Sequence, residues 1–117
     1  MKNFYKEFIS YISGLIEDDP IPYEIKSLVF YINSHNEIGF SATEKEEVKT
    51  VDLFFYFPLE AEFFYCPKLT EIMVKNTKIK NLEILKSLLI YLKKDNYFKK
   101  FNIFYGYLFE KAHKIKI

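Results

Sequence analysis

The stretch VDLFFYFPLEAEFFYC (51–66) holds seven Phe or Tyr residues in sixteen positions, and they do not follow the pattern of a sheet wetted on one side. A strand with one solvated face alternates apolar with polar residues. Along 51–57, Val51, Leu53, Phe55 and Phe57 would point one way and Phe54 and Tyr56 the other, leaving Asp52 as the only polar side chain. Phe63, Phe64 and Tyr65 likewise cannot all share one side. A fold for this chain must therefore cover its central segments on two faces. Helices can cover one. The second needs either more of the chain or another molecule, because exposed apolar patches beyond a few hundred Å² are uncommon on monomers. Tyr at an outer face suits an interface, since its ring packs while its hydroxyl stays wet.

The helices are read from spacing. Phe4, Tyr5, Phe8, Ile9, Ile12, Leu15 and Ile16 share one helical face, which predicts a helix over Asn3–Glu17 that stops at the prolines Pro20 and Pro22. Leu82, Leu85, Leu89 and Leu92 form a second stripe, with Asn81 as its expected N-cap. Tyr97, Phe98, Phe101, Phe104, Tyr105, Leu108, Phe109 and Ala112 form a third, interrupted by Gly106, which implies close packing or a bend there.

Between these lies strand-like sequence. IKSLVFYIN (25–33) and IGFSATE (38–44), separated by SHNEIG, predict a hairpin. Val51–Phe57 and Phe63–Cys66, each bounded by proline, read as a third and a fourth strand, and Leu69–Lys75 as a fifth rather than a helical turn. The expected fold class is α+β: an N-terminal helix, an antiparallel sheet of four or five strands, and two C-terminal helices packed on one face. At 117 residues the chain fits one domain burying roughly two thirds of its unfolded surface.

Charge is divided along the chain. Residues 1–67 hold five lysines against twelve acids, and residues 68–117 hold twelve lysines against four. The simplest account is that the halves attract each other or are each solvated. There is no arginine, so the planar, bidentate contacts used on guanine edges and phosphates are not available to this chain. Its absence, with abundant Asn, Lys, Ile, Phe and Tyr, matches coding from an AT-rich genome. MKNFYKEFISYI does not read as a signal peptide, no apolar run is long enough to span a bilayer, and the single cysteine makes no internal disulfide. A cytoplasmic setting is expected.

Catalytic and metal chemistry find little footing. Cys66 precedes Pro67 and reads as a small buried hydrophobe away from any helix N-terminus. His35 and Glu37 read as turn residues rather than an acid/base pair, and His113 as a residue near a helix C-terminus. Two distant histidines and one cysteine give no zinc spacing, three scattered glycines exclude a phosphate loop, and no cofactor is implied. The residues instead point to a small non-enzymatic protein-interaction module of the inhibitor, immunity or phage and plasmid accessory type, binding a protein partner or a second copy of itself. Its contact is expected on Phe54, Tyr56, Phe63 and Tyr65, with Glu44, Glu46, Glu47, Asp18 and Asp19 as acidic flanks. The alternative is a weak, sequence-independent nucleic-acid binder using Lys93, Lys94, Lys99, Lys100, Lys111 and Lys114.

Overall fold

The computed structural model of the chain describes residues 2–54 and 63–116. Among them the order is α1 (Lys2–Asp18), β1 (Ser27–Ile32), β2 (Ile38–Thr43), α2 (Pro67–Lys75), α3 (Lys78–Lys93), a 3-10 turn (Phe98–Lys100), β3 (Asn102–Tyr107) and β4 (His113–Lys114). The strands form one sheet in the order β2-β1-β3-β4. The class is α+β, with the expected N-terminal helix.

The sheet is mixed, not antiparallel. β1 pairs antiparallel with β2, from Ser27 opposite Thr43 to Ile32 opposite Ile38. It pairs parallel with β3, from Ser27 opposite Asn102 to Ile32 opposite Tyr107. A parallel neighbour requires a crossover, and α3 is the helix that carries the chain back before β3 begins. The expected second C-terminal helix is thus absent from this segment. Phe101, Phe104, Tyr105 and Leu108 do recur at helical spacing, but Ile103 and Tyr105 serve one sheet face and Phe104 the other, and pairing with β1 selects the two-residue period. His113 consequently lies in β4, its ring 5.3 Å from that of Tyr105, and not at a helix end.

Further expectations are corrected. Leu69–Lys75 is helical: Pro67 occupies the first turn of α2, where its missing N–H costs nothing, and Leu69 and Met73, four apart, are both buried. Cys66 is accordingly the N-cap of that helix. Phe63–Cys66 is not a strand of the sheet, although Phe64 N–H donates to Ile38 O at 2.8 Å and so holds the segment beside β2. Of the expected third strand, residues 51–54 belong to no strand of the sheet; its remainder, including Tyr56, lies outside the described residues. The N-cap of α3 is Thr77, whose hydroxyl accepts from Lys80 N–H at 3.2 Å, rather than Asn81, which is buried in the first turn.

One face of the sheet packs on the helices. Leu28, Phe30, Ile32, Phe40 and Ile103 meet Phe8 and Ile12 of α1, Leu69 and Met73 of α2, and Leu85, Leu88, Leu89 and Leu92 of α3. Each such side chain contributes roughly 1.5–3 kcal/mol by leaving water. Tyr5 stacks on Tyr91 at 4.7 Å and ties α1 to α3.

The opposite face is covered by the chain itself. Residues 44–54 cross it as a strap, bringing Val48, Val51 and Phe54 onto Val29, Tyr31 and Phe104, with Phe63, Leu108 and Ala112 at the margins. The strap is bonded on both sides. Val51 N–H donates to Glu110 O at 2.8 Å, Phe109 N–H to Val51 O at 2.7 Å and Ala112 N–H to Lys49 O at 2.9 Å. Ser27 and Ser41, the polar residues of this face, are fully buried and donate to strap carbonyls, Ser27 to Lys45 O at 2.6 Å and Ser41 to Asp52 O at 3.0 Å. These bonds satisfy hydroxyls that would otherwise be costly inside the protein. No helix among the described residues is long and apolar enough to cross a membrane.

Candidate functional site

The β1–β2 turn is locked by Asn33. Its Oδ1 accepts from the backbone N–H groups of His35 and Glu37 at 2.9 and 3.0 Å, and its Nδ2 donates to Glu37 Oε1 at 2.9 Å. Asn36 takes the left-handed conformation the turn needs, at φ 60, one that Asn tolerates better than most residues. This places His35 and Glu37 beside the segment that follows residue 62.

In that segment the bond from Phe64 to Ile38 sets which ring goes where. Phe64 turns inward and meets Phe8 edge-on at 5.3 Å and Tyr11 at 5.4 Å. Phe63 goes to the other side, half-buried, T-shaped against Tyr31 at 6.3 Å. Tyr65 packs on neither and is 86% exposed. The three make a ridge with a groove on each flank. One, of about 960 Å³, is bordered by His35, Glu37, Pro67, Thr70 and Glu71; the other, of about 560 Å³, by Lys6, Glu7, Ser10 and Tyr11.

Two of the four expected contact rings, Phe63 and Tyr65, therefore stand together on this ridge. Phe54, at the end of the strap, is half-buried against the sheet face and borders neither groove, and Tyr56 is outside the described residues. Glu44, Glu46 and Glu47 are exposed but follow β2, at the far end of a six-residue strand from the ridge, roughly 20 Å away by strand rise. Glu46 faces Lys26 at 3.5 Å. Asp18 ends α1 and Asp19 follows it, ten residues beyond the Phe8 that touches the ridge, or roughly 15 Å along a helix. The acids the fold brings to the ridge are Glu7, Glu37 and Glu71, which come from three separate parts of the chain. Pro67 followed by Leu69 and Met73 at i, i+4 was the one local signal that could have placed Glu71 on a helix there.

Cys66, behind the ridge, is 5% exposed. Burial pushes its thiol above the ordinary cysteine value despite its place at a helix start, and Glu7, whose Oε2 accepts from Sγ at 3.4 Å, pushes the same way. The group is held as a thiol.

The lysines sort differently from expectation. Lys93 is half-buried and donates through Nζ to the carbonyls of Lys99 and Phe101. Burial, then the charge of Lys114, lowers its amine below the ordinary lysine value. It holds the 3-10 turn against α3. Lys94, Lys99, Lys100, Lys111 and Lys114 are exposed. Lys100 lies over the Tyr97 ring at 4.6 Å, and Lys114 over Phe104 at 5.9 Å. Lys111 is bridged to Thr50 on the strap, apart from the others.

Comparison with protein families, with curated proteins and with solved structures finds no match for this chain.

Proposed function

We propose that the chain is a small non-enzymatic interaction module, of the inhibitor, immunity or accessory type, which seats one protein partner on the Phe63–Tyr65 ridge. The observation that carries this reading is Tyr65: a ring 86% exposed between two open grooves. Large rings of this kind, ringed by polar groups, are what binding hot spots are made from. The carboxylates of Glu37 and Glu71 beside the larger groove favour a partner segment that combines apolar and cationic side chains. The strap covers the back of the sheet, so the contact belongs on the ridge and not on the sheet face. Binding rather than catalysis is favoured by the chemistry at hand, since the Cys66 thiol is held protonated and the bond His35 makes in its turn comes from its backbone N–H rather than its ring.

Replacing Tyr65→Asp tests the reading. The expected outcome is that affinity capture recovers a partner with the native chain and loses it with the variant, while the thermal midpoint stays within the small change typical of exposed sites, about 0.5 kcal/mol. A partner retained equally by both proteins would remove the ridge from consideration. Light scattering on the same pair distinguishes a second copy of the chain as the partner.

A second reading, sequence-independent nucleic-acid binding, is favoured by one feature: Lys94, Lys99, Lys100 and Lys114 make no ion pair among the described residues, and the charge of Lys114 acts on Lys93. It expects retention on a phosphate-bearing column that fades steeply with salt.

A further inference from the structure

The opposite charges of the two halves of the chain do not pair with each other among the described residues. The ion pairs found there, Lys26–Glu46, Lys75–Glu71 and Lys78–Glu110, each join two residues of the same half, 1–67 or 68–117. All six side chains are more than half exposed, so even these pairs hold weakly. What the fold does instead is to present acidic and basic groups beside exposed rings at two separate places.

One is the ridge, whose larger groove is bordered, among the described residues, by the carboxylates of Glu37 and Glu71 and by no lysine. The other is the corner between α3 and β3, residues 94–100. Lys94, Lys99 and Lys100 are exposed there around Tyr97, a ring 40% exposed. The acid of this corner, Asp95, is engaged in shaping it: its Oδ1 accepts from Tyr97 N–H at 2.9 Å and its backbone O from the N–H groups of Phe98 and Lys99. Tyr97 is held edge-on to Phe98 at 5.0 Å and to Phe101 at 5.8 Å, with Lys100 Nζ 4.6 Å from its ring centre. The corner is therefore a fixed ring with ammonium groups beside it, the combination of apolar and cationic side chains that the larger groove favours.

The two places lie at opposite ends of the sheet. The corner leads into Asn102, which pairs with Ser27 at the start of β1, whereas the ridge is bonded to Ile38, opposite Ile32 at the end of β1. Six residues of strand separate them, roughly 20 Å, so corner and groove of one chain do not meet, but those of two chains can. We propose that the partner seated on the ridge is a second copy of this chain, its 94–100 corner entering the larger groove. Tyr97 packs on Tyr65 and Phe63, and Lys99 and Lys100 approach Glu37 and Glu71. The groove, about 960 Å³, is at the upper end of sites that hold drug-sized ligands, with room for a ring and the stems of flanking lysines. The contact is heterologous: each chain gives its ridge to one neighbour and its corner to another, which builds strings or rings rather than a two-fold dimer. This rests on the ridge reading and names its occupant.

The test is light scattering on the native chain across a range of concentrations, at low and high salt, beside two variants at exposed positions. Expected is a mass above one chain that grows with concentration and falls back toward one chain as salt screens the contact. Tyr65→Ala removes the ridge ring, and Lys99→Glu combined with Lys100→Glu reverses the corner. Each variant alone should associate more weakly by roughly tenfold or more, with its thermal midpoint little changed. Mixed in equal amounts, the two should form a complex of two chains and no larger, because each supplies the surface that the other lacks. A native chain that stays single at low salt, association untouched by either variant, association abolished by nuclease treatment, or a mixture that stays single or grows beyond two chains would each overturn the proposal. The ridge reading fails or stands apart from this: a native chain that stays single yet captures another protein through Tyr65 removes the second copy and keeps the ridge.

Discussion

Two glycines show how single residues set the packing of this molecule. Gly39 lies opposite Tyr31 in the β1–β2 ladder, and a Cβ there would fall 2.6 Å from the Tyr31 hydroxyl. The ring lies across the space that a side chain would fill. Tyr31 is buried, so it cannot swing free, but its far end can shift. Gly39→Ala should therefore cost about 1 kcal/mol, the overpacking strain being partly offset by the lower entropy of the unfolded chain, read as a lower urea midpoint. Tyr31 also carries a pH signature. Burial, then the charge of Glu37, raises its phenol above the ordinary value near 10, and burial does the same for Tyr105. The folded state holds these protons more tightly than the unfolded state does. Their contribution is therefore complete below about pH 10 and lost as pH climbs through the folded values. Lys93, shifted downward, acts with the opposite sign and over a lower range, one that ends near its ordinary value of 10.5. Comparing native chain with Tyr31→Phe isolates the first effect: urea midpoints should fall less steeply above about pH 10 in the variant.

Among the elements, the strap has the most influence on what this fold can do. It is a segment without regular structure that does the work of a second layer, and it stays in place through backbone bonds to Phe109, Glu110 and Ala112 and through Ser27 and Ser41. At Gly106 the strap's Val51 and the Lys111 carbonyl both come close. A Cβ on Gly106 would lie 2.6 Å from the Lys111 carbonyl oxygen and 2.9 Å from Val51 Cγ2, and backbone moves less readily than the end of a side chain. Gly106→Ala should cost about 2–3 kcal/mol, more than Gly39→Ala, and amide exchange should rise first at Val51 and Ala112, whose N–H groups bond across this contact. The close packing expected at Gly106 from sequence is present, but in a strand under a strap and not in a helix.

For the whole molecule, the two covered faces of the sheet mean that burial does not by itself demand a partner. Among the described residues, what stays outside is a small set of large apolar side chains, Tyr65 among them. Cys66 offers a measure of how the assembly opens, since it lies behind the ridge where α1 and α2 meet. Its buried, protonated thiol should react with a thiol reagent far more slowly than free cysteine in the native protein, and labelling should accelerate in step with unfolding as urea is raised. Labelling that proceeds at full rate without denaturant would show that this corner opens by itself.

From residue pattern alone the chain declared α1 almost to its ends, the β1–β2 hairpin with its turn within 34–39, and the stripe of α3. Those features are local: the period of apolar residues and the prolines at the margins decide them. The segment 97–109 was not decidable in this way, because its rings satisfy a helical and a strand period together, and only β1, seventy residues earlier, offers the edge that makes β3 a strand. The same holds for the site. That Glu7, Glu37 and Glu71 stand around Tyr65 follows from one non-local hydrogen bond at Ile38 and from a proline that starts a helix. Such contacts form only when distant parts of the chain are brought together, and no spacing within a short window records them.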